Sequence, residues 1–251
     1  MAKLSHLVRK TRALGLNVDS REWPVETCEI DKTNYEMVKP FTGISKSRAF
    51  ALMQAVRYVI GNGIPGDFVE FGVARGGSAM LVALTLKELG VQDRDIYLYD
   101  LFGTRPKYSE WDVEIDSGKS VRDYYKLVDR GNRQAISNWK FYEKEEVLRV
   151  LRATGYPENK IHLIQGDVCE TLQELSHNQV AFMRLDTDFY ESTKHELRML
   201  YPKLAKNGIA IIDDYGHWHG ARKATDEFLE ELVPKPLLLF IDNTARQIFK
   251  I

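Results

Sequence analysis

Apolar and polar residues group along this chain into blocks that read by turns as strands and helices. D-F-V-E-F-G-V (67–73), D-I-Y-L-Y-D (95–100), K-I-H-L-I-Q-G-D (160–167), V-A-F-M-R-L-D (180–186) and G-I-A-I-I-D-D (208–214) are short apolar runs bounded by glycine or acids. That is the pattern of strands buried on both faces. Between them lie segments with apolar residues three and four apart, which predict helices. The clearest is S-K-S-R-A-F-A-L-M-Q-A-V-R-Y-V-I (45–60), with Ser45 or Ser47 as its cap. A-M-L-V-A-L-T-L-K-E-L-G (79–90) stops at Gly90, and V-L-R-V-L-R-A-T-G (147–155) is the end of a further helix. V-C-E-T-L-Q-E-L (168–175), T-K-H-E-L-R-M-L-Y-P-K-L (193–204) and A-R-K-A-T-D-E-F-L-E-E-L (221–232) complete the set. Residues 236–251 read as two strands joined by a short turn.

Five strands alternating with helices predict a parallel sheet covered on both faces, and the terminal hairpin requires an antiparallel strand at one edge. Ligands on such sheets bind beyond the carboxyl ends of the strands, at the point where strand order reverses. Residues 1–60 read as a helical extension or cap and 61–251 as the α/β domain. Residues 102–140 are polar and aromatic with weak periodicity. A segment of that length between core elements is usually functional, and it reads as a lid.

The composition adds mostly exclusions. Of 251 residues, 35 are Lys or Arg and 36 are Asp or Glu, so no overall field favours nucleic acid. No apolar run reaches the length of a membrane span, and the basic N-terminus lacks the apolar core of a secretion signal. Two cysteines make neither a disulfide framework nor a zinc set. These points lead us to expect a cytoplasmic protein with no nucleic acid or membrane partner.

The chemistry gathers at the strand ends. V-E-F-G-V-A-R-G-G-S (69–78) joins a strand to a helix through glycines, which suits a nucleotide-like cofactor and equally suits a tight turn. It is neither G-x-G-x-x-G nor a phosphate loop. Glu70 lies inside an apolar strand, where an ordinary surface role is hard to assign. Asp100 ends the second strand, as does an acid that accepts from ribose hydroxyls. Asp167 ends the third and either meets an adenine amino group or caps the helix at Val168. Asp186, Asp213 and Asp214 come from two neighbouring strand ends. Three carboxylates without His or Cys suit a hard cation such as Mg²⁺. Asp188, two residues on, stands where a general base would sit, and His217 or His219 could assist proton transfer. Each acid alone could instead open a turn or cap a helix. An oxidoreductase on a similar sheet would carry G-x-G-x-x-G and would leave the three acids without a role.

G-D-F-V-E-F-G-V-A-R-G-G-S, Y-D-L-F-G-T, R-L-D-T-D-F-Y-E-S-T and L-Y-P-K-L-A-K-N-G-I-A-I-I-D-D-Y-G together resemble the macrocin (TylF-type) O-methyltransferases, from about Ala55 to about Glu230. The resemblance implies a Rossmann-like class I methyltransferase fold, a mostly parallel seven-stranded sheet whose last strand is reversed. It implies S-adenosyl-L-methionine and Mg²⁺ as cofactors and a sugar hydroxyl of a natural product or glycan as acceptor. A catechol-like diol or a non-catalytic scaffold are the alternatives. It implies Asp186, Asp213 and Asp214 as metal ligands and Asp188 as the catalytic base, beside which we expect His217, from its place just beyond the acids, as a second catalytic residue. Cofactor contacts would come from Glu70, Gly72, Val73, Ala74, Arg75, Gly76, Ser78, Asp100, Phe102, Asp167 and Val168. Members often form dimers, so a homo-oligomer is expected. The segment after Asp100 departs from the family: L-F-G-T-R-P-K-Y-S-E-W stands where S-F-E-G-L-P is usual. The acceptor therefore need not be a macrolide or coumarin sugar.

Overall fold

The structure is a computed structural model that describes residues 22–132, 141–174 and 178–251. Two helices come first, α1 (Glu29–Val38) and α2 (Lys46–Gly61). The Ser45 hydroxyl caps α2 by accepting from the Arg48 amide at 3.1 Å. The chain then alternates. Strand β1 (Asp67–Phe71) leads to α3 (Gly77–Glu88), and β2 (Ile96–Asp100) leads to α4 (Val121–Asp129) and α5 (Lys144–Arg152). Next come β3 (Ile161–Gln165), α6 (Val168–Glu174), β4 (Val180–Leu185) and α7 (Tyr190–Leu200). The last elements are β5 (Leu204–Ile212), α8 (His219–Glu230), β6 (Leu238–Phe240) and β7 (Arg246–Phe249).

The seven strands form one sheet in the order β3-β2-β1-β4-β5-β7-β6. The first five are mutually parallel, and β7 runs antiparallel to both β5 and β6. The reversed last strand agrees with the expected methyltransferase sheet. Strand β5 begins at Leu204, earlier than the apolar pattern suggests. The register between β4 and β5 slips between Val180 and Phe182, and this accommodates the polar pair Lys206-Asn207. The expected helix over 193–204 accordingly stops at Leu200, before Pro202.

Alternation along the strands assigns each face its helices. Phe68, Leu98, Phe182, Ile209 and Ile211 share one core with α1, α2, α3 and α5. Val69, Phe71, Met183, Leu185, Ala210 and Ile212 share the other with α6, α7 and α8. Burying a side chain such as Leu98 or Phe182 contributes about 1.5–3 kcal/mol, so the centre of the sheet is the most strongly held part of the chain. The helices of the N-terminal region pack into the first of these cores. Among the described residues no helix is long and apolar enough to cross a membrane.

Strand order reverses between β1 and β4, which opens a crevice at their carboxyl ends. The two strands stay zipped to the rim, where the Asp186 amide donates to the Phe71 carbonyl at 2.8 Å.

Candidate active site

The first wall of the crevice is the loop after β1. Gly72 has φ +78°, and a Cβ there would stand 2.0 Å from the Asp186 carbonyl oxygen. Only glycine fits both conditions. Ala74 is also left-handed, at φ +47°. The loop thus has the backbone shape of a glycine-rich turn without that motif's spelling. Asp100 holds it in place. Its Oδ2 accepts from the amides of Val73 (2.7 Å) and Ala74 (3.2 Å), and its Oδ1 accepts from the Phe102 amide (2.8 Å).

Behind this loop a cavity of 510 Å³ runs from Gly72, Ala74 and Asp100 past Asp167 and Val168 to Asp186 and Asp188. That volume suits a drug-sized or cofactor-sized ligand. Lys107, Tyr108 and Ser109 of the 102–140 segment wall its other side together with Phe141 and Tyr142. The Lys107 ammonium lies 3.0 Å from Asp167 Oδ2, across the mouth. Asp167 also caps α6, its Oδ1 accepting from the Cys169 amide at 3.0 Å.

Of the expected cofactor contacts, Gly72, Ala74, Asp100, Asp167 and Val168 line this cavity. The others do not line it. Glu70 and Ser78 are buried and hydrogen bonded to each other. The Arg75 guanidinium turns outward to Glu146 (3.2 Å) and the Pro40 carbonyl (3.1 Å). Gly76 caps α3, while Val73 and Phe102 are buried beside the loop. Among the aromatic residues between 108 and 142, Tyr108, Phe141 and Tyr142 reach the cavity. Tyr124 and Tyr125 pack on Phe189 and Trp218, Trp111 is exposed, and Trp139 lies outside the described residues.

The aspartates meet at the far end. One atom from each of Asp186, Asp213 and Asp214 lies within 4.8 Å of the others. Positive charge already stands among them. Arg184, 2% exposed, contacts Asp186 Oδ2 at 2.7 Å, Asp213 Oδ1 at 2.8 Å and Glu70 at 2.5 Å. Arg48 of α2 pairs with the other oxygen of Asp213 and, at 3.2 Å, with Asp242. Held between two guanidiniums, Asp213 stays below the usual carboxylate range despite burial. A quarter of the Asp186 side chain is open to solvent, yet desolvation in the crevice leads in holding it well above that range. Arg184 opposes that rise, and Asp213 and Asp214 add to it. Desolvation, then Asp214, raises Asp188 in the same direction. Asp188 takes a left-handed backbone conformation, φ +68°, which Asp tolerates better than most residues. Asp214 is buried, and its Oδ2 has no hydrogen-bond partner. A buried, unpaired acceptor in a group of three carboxylates is the donor set a hard divalent cation takes.

His217 joins this cluster and His219 does not. His217 Nδ1 is 3.8 Å from Asp214 Oδ1, and its Nε2 is 3.1 Å from Glu114 Oε1. Asp214 on one side and Glu114 on the other push the imidazole up to about 9. His219 is exposed at the start of α8, and its amide donates to the Val113 carbonyl. The lid is docked at this point, since the Ile115 amide donates to the His217 carbonyl at 2.8 Å and Glu114 bridges to Trp218.

Four residues here were not singled out from the sequence. Arg184 could have been, as a lone cation inside an apolar strand. Arg48 and Glu114 meet their partners across 165 and 103 residues, and nothing local marks them. Asp112 is buried in the lid and caps α7, accepting from the Tyr190 amide at 2.8 Å. The alternative in which Asp188 caps α7 is thereby replaced: the cap position is Phe189, and the acceptor comes from the lid.

Comparison with known proteins places this geometry. The chain is 30% identical over 225 residues to demethyldecarbamoylnovobiocin O-methyltransferase of Streptomyces niveus, covering 90% of this chain and 76% of that protein. It is 30% identical over 174 residues to mycinamicin III 3''-O-methyltransferase of Micromonospora griseorubida, covering 69% of this chain and 65% of that one. The solved structure of the O-methyltransferase NovP superposes with a TM-score of 0.69 at 28% identity, over 92% of this chain and 85% of that chain. The model of the macrocin-O-methyltransferase (TylF) family matches residues 29–248, nearly the whole described chain, and the protein belongs to that family.

Proposed function

We propose that this O-methyltransferase uses S-adenosyl-L-methionine and Mg²⁺ to methylate a hydroxyl on the sugar moiety of a small natural product or glycan. The observation that carries the reading is the buried, unpartnered Oδ2 of Asp214 among three convergent aspartates, at the end of a cavity floored by Gly72 and Ala74. The named activities of the two relatives, one on a novobiocin precursor and one on a mycinamicin, support a natural-product acceptor.

In this reading Gly72, Ala74, Asp100, Asp167 and Val168 bind the cofactor, and Asp186, Asp213 and Asp214 hold the cation. The open backbone of the loop leaves room for a ligand, and Asp100 fixes its shape. When bound, the cofactor supplies an activated methyl group, and the cation supplies positive charge that makes an adjacent hydroxyl more acidic. With the cofactor bound, Asp188 would take the proton of the acceptor hydroxyl, and transfer of the methyl group to that oxygen would leave S-adenosylhomocysteine. The raised affinity of Asp188 for a proton makes it a stronger base than an ordinary carboxylate. His217 orients the acceptor or carries that proton onward. The arginines keep Asp213 ionised, so the cation-binding charge is present before any ion arrives. Lys107, Tyr108, Phe141 and Tyr142 line the cavity, and the aromatic rings offer a face to a sugar.

The reading extends to organisation. Residues 1–60 act as an extension of the 61–251 domain, and 102–140 act as its lid. A homodimer would use the exposed Ile30 and Met37, which share one face of α1. Two free cysteines support a cytoplasmic location. The test is calorimetric titration with S-adenosylhomocysteine, with and without Mg²⁺, followed by methyl transfer to a panel of glycosides. Micromolar binding with Mg²⁺-dependent transfer supports the proposal. Absence of binding in both conditions overturns it.

A further inference from the structure

Asp188 sits at the centre of a strained turn. The Phe189 amide donates to the Thr187 carbonyl at 2.8 Å, and Asp188 between them has φ +68°. A three-residue turn closed around a positive φ is the rare, strained form of the γ-turn. Such backbone persists only where its surroundings over-determine it, and it concentrates at functional sites. The residues flanking this turn are anchored. Before it, the Asp186 amide donates to the Phe71 carbonyl at 2.8 Å. After it, the Tyr190 amide donates to Asp112 Oδ1 at 2.8 Å, and the Thr193 amide donates to the Phe189 carbonyl at 3.1 Å.

The turn itself is tied by a side chain. The Thr187 hydroxyl donates to Glu196 Oε1 at 2.8 Å. Glu196 is a costly residue at its position. It lies on the buried face of α7 with Thr193, Leu197 and Leu200, and it is 0% exposed. Its Oε2 has no hydrogen-bond partner among the described residues. A buried carboxyl with one oxygen unpaired weakens a fold, and an apolar side chain on that face would strengthen it. Stability therefore gives no reason for an acid here. The contact it does make gives one, because it goes to the residue next to Asp188, on the wall that Thr187 and Asp188 share in the cavity.

We propose that Glu196 is a positioning residue for Asp188, holding through the Thr187 hydroxyl the strained turn that presents Asp188 to the cavity. The acceptor belongs to a packed helix, so the turn cannot relax without breaking that hydrogen bond. Glu196 touches neither the acids of the cluster nor the cavity, and it acts only through Thr187. The consequence for methyl transfer rests on the function proposed above; the tie itself does not.

The experiment compares Glu196→Met and Thr187→Val, which remove the acceptor or the hydroxyl at similar size, with Glu196→Gln and Thr187→Ser, which keep the hydrogen bond. Each full-length variant is read by amide hydrogen exchange, by calorimetry with S-adenosylhomocysteine and by methyl-transfer kinetics. In the Met and Val variants exchange at the Phe189 amide should quicken roughly tenfold, as for one lost hydrogen bond, while the Asp186 amide stays protected. Their kcat should fall about 10–100-fold with the KM for S-adenosyl-L-methionine kept, the signature of a misplaced group rather than lost binding. The double variant should be no slower than either single one, because both break the same contact. The Gln and Ser variants should match the parent in every readout, and retained affinity for S-adenosylhomocysteine reports that all are folded. Unchanged exchange at Phe189 in the Met and Val variants overturns the tie. Exchange that quickens equally at Asp186 marks loosened packing and overturns it too. Quickened exchange at Phe189 with kcat unchanged, or a Gln variant as slow as the Met variant, overturns the positioning role and leaves the methyltransferase reading intact. With no methyl transfer by the parent protein, the proposed function and the positioning role fail together, while the exchange data still decide the tie.

Discussion

Arg184 stands directly across from Glu70. The two are register partners on adjacent strands β4 and β1, and their side chains meet at 2.5 Å in a region almost closed to water. The same guanidinium reaches Asp186 and Asp213, so a charge pair inside the sheet is the anchor of the acidic cluster at its rim.

Arg184→Leu should therefore be costly. It leaves Glu70 buried with only Ser78 as partner and removes the cation between Asp186 and Asp213. Breaking a buried pair by removing one member typically costs about 3–5 kcal/mol. Urea denaturation should show a loss of that order, and a loss below about 1 kcal/mol would contradict the anchoring role.

Asp213→Asn should weaken Mg²⁺ binding at least tenfold while S-adenosylhomocysteine still binds, because Asp213 lies among the acids and does not line the cavity. Calorimetry with each ligand in turn checks both halves. Unchanged Mg²⁺ affinity would remove Asp213 from the ligand set.

Gly72→Ala places a methyl group 2.0 Å from the Asp186 carbonyl oxygen at a backbone angle of φ +78°. The left-handed conformation alone costs about 1–2 kcal/mol for a residue with a Cβ, and the contact forces β1 and β4 apart at the crevice. The variant should melt lower and lose cofactor affinity together. Full retention of S-adenosylhomocysteine binding would show that the crevice adapts.

Glu196 predicts a pH dependence of stability. It is fully buried in α7, accepts from the Thr187 hydroxyl at 2.8 Å and has no counter-cation among the described residues. Burial pushes its carboxyl from 4.5 up to about 8. The folded state then keeps a proton that the unfolded state releases, so stability falls as pH rises from about 4.5 to about 8, by up to several kcal/mol. Glu196→Gln should raise the melting temperature clearly at pH 8 and little at pH 5. An equal effect at both would mean that the carboxyl is ionised in the folded protein.

Asp112→Ala removes the acceptor at the start of α7 and the tie between lid and helix. A lost cap typically costs about 0.5–2 kcal/mol. Proteolysis within the 102–132 segment should accelerate relative to the intact protein, and an unchanged rate would mean that the lid is held elsewhere.

The order of elements was legible because it depends on local patterning. Continuous apolar runs marked the five parallel strands, and the 236–251 pattern marked the hairpin that places the reversed strand. The aspartates were legible as candidates because each sits where an apolar run stops, which is the end of a strand. Partnership was not legible in the same way. Glu70 read as a site residue because a lone acid in a buried strand demands an explanation. Its explanation is Arg184, 114 residues away, and only the strand register reveals it.

The sequence by itself thus determined the sheet, its covering helices and which strand ends carry acids, since hydrophobic periodicity and turn chemistry act over a few residues. Tertiary structure alone decided that Arg48 and Arg184 pair with Asp213, that Glu114 backs His217 and that Asp112 caps α7. Each of those contacts closes a loop of 29 to 165 residues between groups that no local pattern links. Long-range packing fixes their distances, and distance determines the strength of an electrostatic contact.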